Sequence, residues 1–180
     1  MVNIIRQRIA EVFRRRVEEV GYTGTTLDDV AKALRISKKT IYVHFSGKRE
    51  IYAHVVEQEA AREKARLTAA VATAPTCVAR LETVLRLVLD SGRRHVEQTG
   101  RTEWLAQYEV AADAFRKATG DLIRDLVQEG MDSGEFSRGD VGLVERMLTA
   151  MMVDYLLIVR DDRSYDRDEE LLERLIRFVR

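Results

Sequence analysis

Apolar positions recur at threes and fours along almost the whole chain, the signature of amphipathic helices, and capping or breaking residues set the runs apart. The first run covers 3–20, with Ile5, Ile9, Phe13, Val17 and Val20 on one face, and stops at Gly21. Two short helices follow. Thr26 suits the N-cap of the first, Asp28 and Asp29 fall in its first turn, and Val30, Ala31 and Leu34 point inward. Ile36 lies in the connecting turn and Ser37 caps the second, which starts at Lys38 and turns Ile41 and Phe45 inward. A long solvated helix is predicted from Lys48 to about residue 70, then a break over 72–76, which holds the only Pro. Thr76 caps a helix over 77–98. A shorter helix is expected over 103–113 and another over 115–133, closed by Gly134.

The last two helices are wider in their apolar surface. Residues 140–160 carry Leu143, Val144, Met147, Leu148, Met151, Met152, Tyr155, Leu156, Ile158 and Val159, more than one core-facing stripe uses. Residues 169–179 repeat the pattern in miniature, with Asp166 or Asp168 as the cap. Such a pair needs a partner, and a homodimeric four-helix bundle supplies one. Leu148, Met152, Leu156, Leu172, Leu175, Ile176 and Val179 are the expected dimer interface.

Composition changes this picture in one respect. The 180 residues carry no net charge, yet the first 55 hold 11 Lys/Arg against 6 Asp/Glu, net +5, and the rest hold 19 against 24, net −5. A basic head on an acidic body is the asymmetry expected when one end meets nucleic acid. Cys77 is the single cysteine, so no intrachain disulfide framework is expected and a reducing cytoplasm fits. Neither a secretory leader nor an 18-residue apolar run stands out, so no membrane association is expected.

The chemistry concentrates in 26–45. Once Ile41 and Phe45 turn inward, the second short helix shows Lys38, Lys39, Thr40, Tyr42 and His44 outward. Two cations, a hydroxyl, a phenol and an imidazole suit a helix lying in a major groove, where some side chains reach base edges and others hold phosphates. Lys48, at a helix start rich in free N–H groups, suits a phosphate.

Residues 5–56 resemble the DNA-binding domain of the tetracycline-repressor (TetR) family of bacterial transcription regulators. The matching residues are Gly21-Tyr22, Thr25-Thr26-Leu27-Asp28-Asp29-Val30-Ala31, Ile36-Ser37-Lys38-Lys39-Thr40-Ile41-Tyr42, His44-Phe45 and Lys48. The departures are Arg35, where the family usually has Gly, and Val12-Phe13 in place of small residues. The resemblance implies an all-α chain with a three-helix DNA-binding head over 1–55, its helix-turn-helix at 26–45. It also implies a helical effector-binding and dimerisation domain over 56–180. Thr26, Lys38, Lys39, Thr40, Tyr42, His44 and Lys48 are then the expected DNA-binding residues.

The expected function is that of a sequence-specific transcriptional regulator, a repressor released from a palindromic operator by a small-molecule effector. A transcriptional activator, or a helical ligand-binding or protein-interaction module without DNA binding, is the alternative. Two heads about one helical turn apart read a palindrome far more specifically than one. Trp104, Tyr108, Phe115, Met147, Met151 and Tyr155 could line an apolar effector cavity, with Arg93 or His95 as polar anchor.

No enzyme is expected. His44, His54 and His95 lack metal-ligand spacing, and HExxH, CxxC, GxSxG and Gly-rich phosphate loops are missing from the sequence. No cofactor or metal is therefore called for. The acidic run 161–170 lacks the Gly of a calcium loop and reads as an exposed connection.

Overall fold

The computed structural model describes residues 2–98 and 101–180, with the side chains of 4–96 and 113–180. Among the described residues eight helices follow one another: α1 (Val2–Gly24), α2 (Leu27–Leu34), α3 (Lys38–His44), α4 (Lys48–Val71), α5 (Cys77–Gln98), α6 (Arg101–Ser133), α7 (Val141–Asp161) and α8 (Asp168–Val179). Among the described residues there is no strand, and the all-α expectation holds. The chain divides into two compact units, residues 1–60 with 101–114 and residues 61–100 with 115–180.

In the first unit α1, α2 and α3 pack on one another around Ile9, Phe13, Val30, Ile41 and Phe45, all buried, with Ile51 of α4 beside them. The predicted α1 stripe is only partly inside: Ile5 and Val17 are half-buried and Val20 is exposed. The stop at Gly21 is a kink rather than an end. Its φ of 77° is a left-handed conformation that costs Gly nothing, and one more turn carries the chain to Gly24. The buried Thr25 hydroxyl donates to the Gly21 carbonyl at 2.8 Å and fixes the corner into α2.

In the second unit α5 packs against α7 and α8. Leu81, Leu85 and Leu89 from α5 meet a core that includes Leu148 and Met152 of α7 and Leu172 and Leu175 of α8, all buried. Gly92 permits the close approach, because a Cβ there would lie 2.4 Å from Cδ1 of Leu156. At the start of α5, Thr76 Oγ1 accepts from Ala79 N at 3.1 Å. The Glu135 carboxylate, far along the chain, accepts from the N–H groups of Cys77 and Val78, each at 3.1 Å. Those bonds hold the Glu135 carboxyl below its usual range.

Two expectations are corrected. The helices expected over 103–113 and 115–133 are one helix of 33 residues, since 101–119 contains neither Gly nor Pro and Ala111, Ala112 and Ala114 favour continuation. Asp168 is the first helical residue of α8 and does not cap it; its carboxylate turns to Arg93 and Tyr155 instead. The residues expected at a dimer interface contribute to the core of the single chain. Leu148, Met152, Leu172, Leu175, Ile176 and Val179 are buried within the single chain, and Leu156 rests on Gly92. The stripes they form are the ones α7 and α8 need to cover α5. The exposed apolar residues of the same helices are Leu143, Met147, Met151, Ile158 and Phe178.

Candidate nucleic-acid interface

The helix-turn-helix is built from local hydrogen bonds. Thr26 is extended, with φ −119°, and its Oγ1 accepts from Asp29 N at 3.2 Å while Asp29 Oδ2 accepts from Thr26 N at 3.1 Å, a reciprocal cap. The Asp29 carboxyl is pulled below its usual range, mainly by the Thr26 side chain. Arg35 ends α2 in the left-handed conformation, φ 55°, and its N–H finds the Ala31 and Lys32 carbonyls. Arg35 thus takes the geometry of a Gly without being one. Ser37 opens α3 by accepting from Thr40 N at 3.1 Å, and the Ser37 and Thr40 hydroxyls pair at 2.9 Å.

The far end of α3 is tied down just as firmly. Arg6 of α1 lies over the Phe45 ring, 4.1 Å from its centre, and donates to the His44 carbonyl and to Glu50. Glu50 also accepts from Ser46 N at 2.6 Å, which leads the interactions holding its carboxyl below the usual range. Arg6 is therefore a brace for α3. Three other α1 arginines work locally: Arg14 and Arg15 pair with Glu11, and Arg16 pairs with Glu19.

Between these anchors α3 shows one polar face outward. Lys38, Lys39 and Tyr42 are exposed, and Thr40 and His44 are half-buried. Tyr42 keeps 55% of its surface open, unusual for a phenol on a packed helix. Lys38 Nζ reaches Asp28 Oδ2 at 3.0 Å. Lys48, at the start of α4, sits 4.2 Å from the centre of the Tyr22 ring and donates to the Thr23 carbonyl at 3.3 Å. Thr26 spends its hydroxyl on the cap, where Oγ1 also pairs with Asp29 at 2.6 Å. All seven residues expected at DNA thus belong to the α2–α3 motif or the start of α4.

One exposed residue of this face escaped the pattern. Val43 is apolar yet 73% exposed, and it belongs to neither the inward stripe nor the polar set. Its place on the helical wheel, opposite Ile41, was the available signal.

Of the residues expected around an effector, those with described side chains are Arg93, His95, Phe115, Met147, Met151 and Tyr155. Arg93 and Tyr155 meet at the Asp168 carboxylate: Arg93 Nε donates to it at 3.0 Å, and the Tyr155 hydroxyl donates to it as well. That hydroxyl accepts from Arg167 N at 2.7 Å, so the group is a latch between α5, α7 and α8. Burial, then the bond to Asp168, pushes the Tyr155 phenol up to about 12. Against the cost of burial, Arg93 and Tyr155 hold the Asp168 carboxyl below its ordinary value. Met147 and Met151 are exposed on the outer side of α7, His95 is exposed and Phe115 is half-buried. The Trp104 and Tyr108 side chains lie outside the described residues. An open hollow of about 430 Å³ lined by Gln128, Met131, Asp132, Arg138, Gly139 and Val141 shares no residue with that set.

Among the described residues no group of three or more His, Cys, Asp or Glu is placed to hold a metal, and no helix is long and apolar enough to cross a membrane. Residues 11–55 match the family of bacterial regulatory proteins called the tetR family. The biofilm operon icaADBC HTH-type negative transcriptional regulator IcaR of Staphylococcus epidermidis is 51% identical over 39 residues, 22% of this chain and 21% of that protein. The chain therefore spans about a fifth of the length of the curated relatives it matches. Over nearly its whole length the fold resembles RolR in complex with resorcinol, with a TM-score of 0.79 at 16% identity, covering 99% of this chain and 88% of the other. It also resembles the transcriptional regulator FadR from Bacillus subtilis in complex with stearoyl-CoA, at 0.69 and 19%, covering 97% and 99%.

Proposed function

We propose that this chain, a member of the TetR family by the DNA-binding head at 11–55, is a sequence-specific transcriptional regulator that represses from a palindromic operator and releases it when a small molecule binds. One observation carries the reading. A short helix, capped at Ser37 and braced by Arg6, presents Lys39, Thr40, Tyr42 and His44 outward from a head of net charge +5. That arrangement lets Lys39 and Thr40 approach base edges while Tyr42 and Lys48 hold phosphates.

A palindrome calls for two heads, and the second copy has a surface to meet. On α7 the buried stripe runs through Leu148, Met152, Tyr155 and Val159. A second apolar stripe, Leu143, Met147, Met151 and Ile158, lies about a quarter-turn away and is left open, with Phe178 of α8 also exposed. Pairing those faces across a two-fold axis would bury them both. The dimer is proposed on these residues and not on the stripe that packs against α5.

The effector is proposed to be a small, largely apolar molecule bound by the second unit. Support comes from RolR and FadR, which share the fold and were solved with resorcinol and stearoyl-CoA. A coupling of about 1–3 kcal/mol between effector and heads would change operator affinity five- to 150-fold.

The test is selection of binding sites from random duplex DNA by the purified protein at about 150 mM salt. One recovered palindrome, with half-sites about 34–36 Å apart, supports the reading. A folded protein that enriches no sequence overturns it.

A further inference from the structure

Val43 occupies the crest of α3. At about 100° per residue, Lys39 and Val43 stand about 160° and 200° around the helix from the buried Ile41, with Tyr42 and Thr40 on the flanks. Lys39 and Val43 are one turn apart and neighbours on the same face. Whatever α3 is pressed against, these two side chains arrive first.

Nothing in the free protein explains a valine there. It is 73% exposed, so it contributes little to the core. A β-branched residue is also a poorer helix former than Ala, because its χ1 freedom is cut against the preceding turn. The same restriction has a use: Val43 presents two methyl groups held in one orientation. It has no donor or acceptor, so it satisfies none of the hydrogen-bonding groups on a major-groove floor. One group on that floor is apolar, the 5-methyl of thymine.

We propose that Val43 is a specificity-determining residue that reads a thymine 5-methyl group in each half-site. The inference rests on α3 entering the major groove, as set out above. Lys39 and Val43 are separated by about 6 Å of helix axis, and base pairs by about 3.4 Å. The thymine therefore lies about two base pairs from the pair Lys39 contacts, which, for a lysine, is a guanine offering O6 and N7.

The experiment uses the selected site and fluorescence anisotropy with the full chain. Each thymine of a half-site is replaced in turn by deoxyuridine, which removes the 5-methyl and leaves the pairing intact. For the native protein one position per half-site should lose affinity about fourfold, the effect of one buried methyl group. In Val43→Ala, whose site is exposed and whose fold is checked by circular dichroism, that loss should vanish while the response at other positions stays. Uniform tolerance of uracil by the native protein, or a Val43→Ala protein that keeps the same methyl-sensitive position, overturns the role of Val43. Failure of the native protein to select any site overturns DNA recognition as a whole, a separate and earlier result.

Discussion

Lys38 Nζ on α3 and Asp28 Oδ2 on α2 are 3.0 Å apart, so a cation at the start of the outward face is already engaged by the neighbouring helix. Both side chains are well exposed, and such a pair adds well under 1 kcal/mol to stability. On the proposed role of α3 its effect is expected in DNA affinity, because Lys38 would have to leave Asp28 before serving a phosphate or a base. Asp28→Asn is expected to shift stability by less than about 1 kcal/mol and to raise operator affinity about threefold or more. Anisotropy titrations on the selected site check this; unchanged affinity would mean Lys38 stays clear of the duplex.

Tyr42→Ala and Lys48→Ala should both weaken binding to specific and non-specific duplexes alike. For Lys48→Ala the slope of log affinity against log salt should flatten by about 0.9, the value for one phosphate contact. The lysine also loses its place over the Tyr22 ring, worth about 0.5–1 kcal/mol at an exposed site, so a small fall in melting temperature should accompany it.

Arg35 carries a φ of 55° at the end of α2. Arg35→Gly is expected to stabilise the protein by about 0.5–1 kcal/mol in urea unfolding, because Gly reaches that region without steric cost. DNA affinity should stay within about twofold, since the Arg35 backbone, not its side chain, ends the helix.

The latch at Asp168 predicts a dependence on pH. Its carboxyl has a folded-state pKa below the ordinary value, so its contribution is present above about pH 4 and is lost as pH falls through the lowered value. Asp168→Asn removes the charge that Arg93 and Tyr155 engage and should cost about 2 kcal/mol at pH 7. Thermal melts from pH 7 downward should show native and variant curves converging below about pH 4. Parallel curves would show that the charge contributes nothing.

Two substitutions, one on each of the last two helices, should part company. Leu175 is buried in the chain's own core, so Leu175→Glu should unfold the second unit. Met147 is exposed, so Met147→Glu should leave the fold intact and yield monomers in sedimentation. A dimeric Met147→Glu protein would place the interface elsewhere.

The head was legible because its signals are local. Thr26 and Ser37 cap the helices they precede, and the 3.6-residue period separates Ile41 and Phe45 from Lys38 and Lys39 within one turn. The second unit was not, because its decisive contacts join distant residues. Nothing near Asp168 announces that Arg93 will claim its carboxylate, and nothing near Cys77 announces Glu135. For α7 the pattern disclosed two apolar faces and left open which one turns to α5. Leu148 and Met147 are adjacent in sequence and equal in apolar character. The inward face is the one that brings Leu156 onto Gly92 and Tyr155 to Arg93 and Asp168, contacts between residues far apart in the chain.

The remote cap on α5 also sets an order of events at the ribosome. The caps of α2 and α3 close over three residues, Thr26 to Asp29 and Ser37 to Thr40, so those helices can form while the chain is short. The first N–H groups of α5 must wait for Glu135, 58 residues on from Cys77. At about 5–20 residues per second, several seconds separate the two, and through that interval α5 emerges with an incomplete start and an apolar stripe not yet covered by α7. A nascent chain arrested with α5 outside the ribosome and Glu135 still inside it should therefore engage chaperones through α5 while α2 and α3 are already helical.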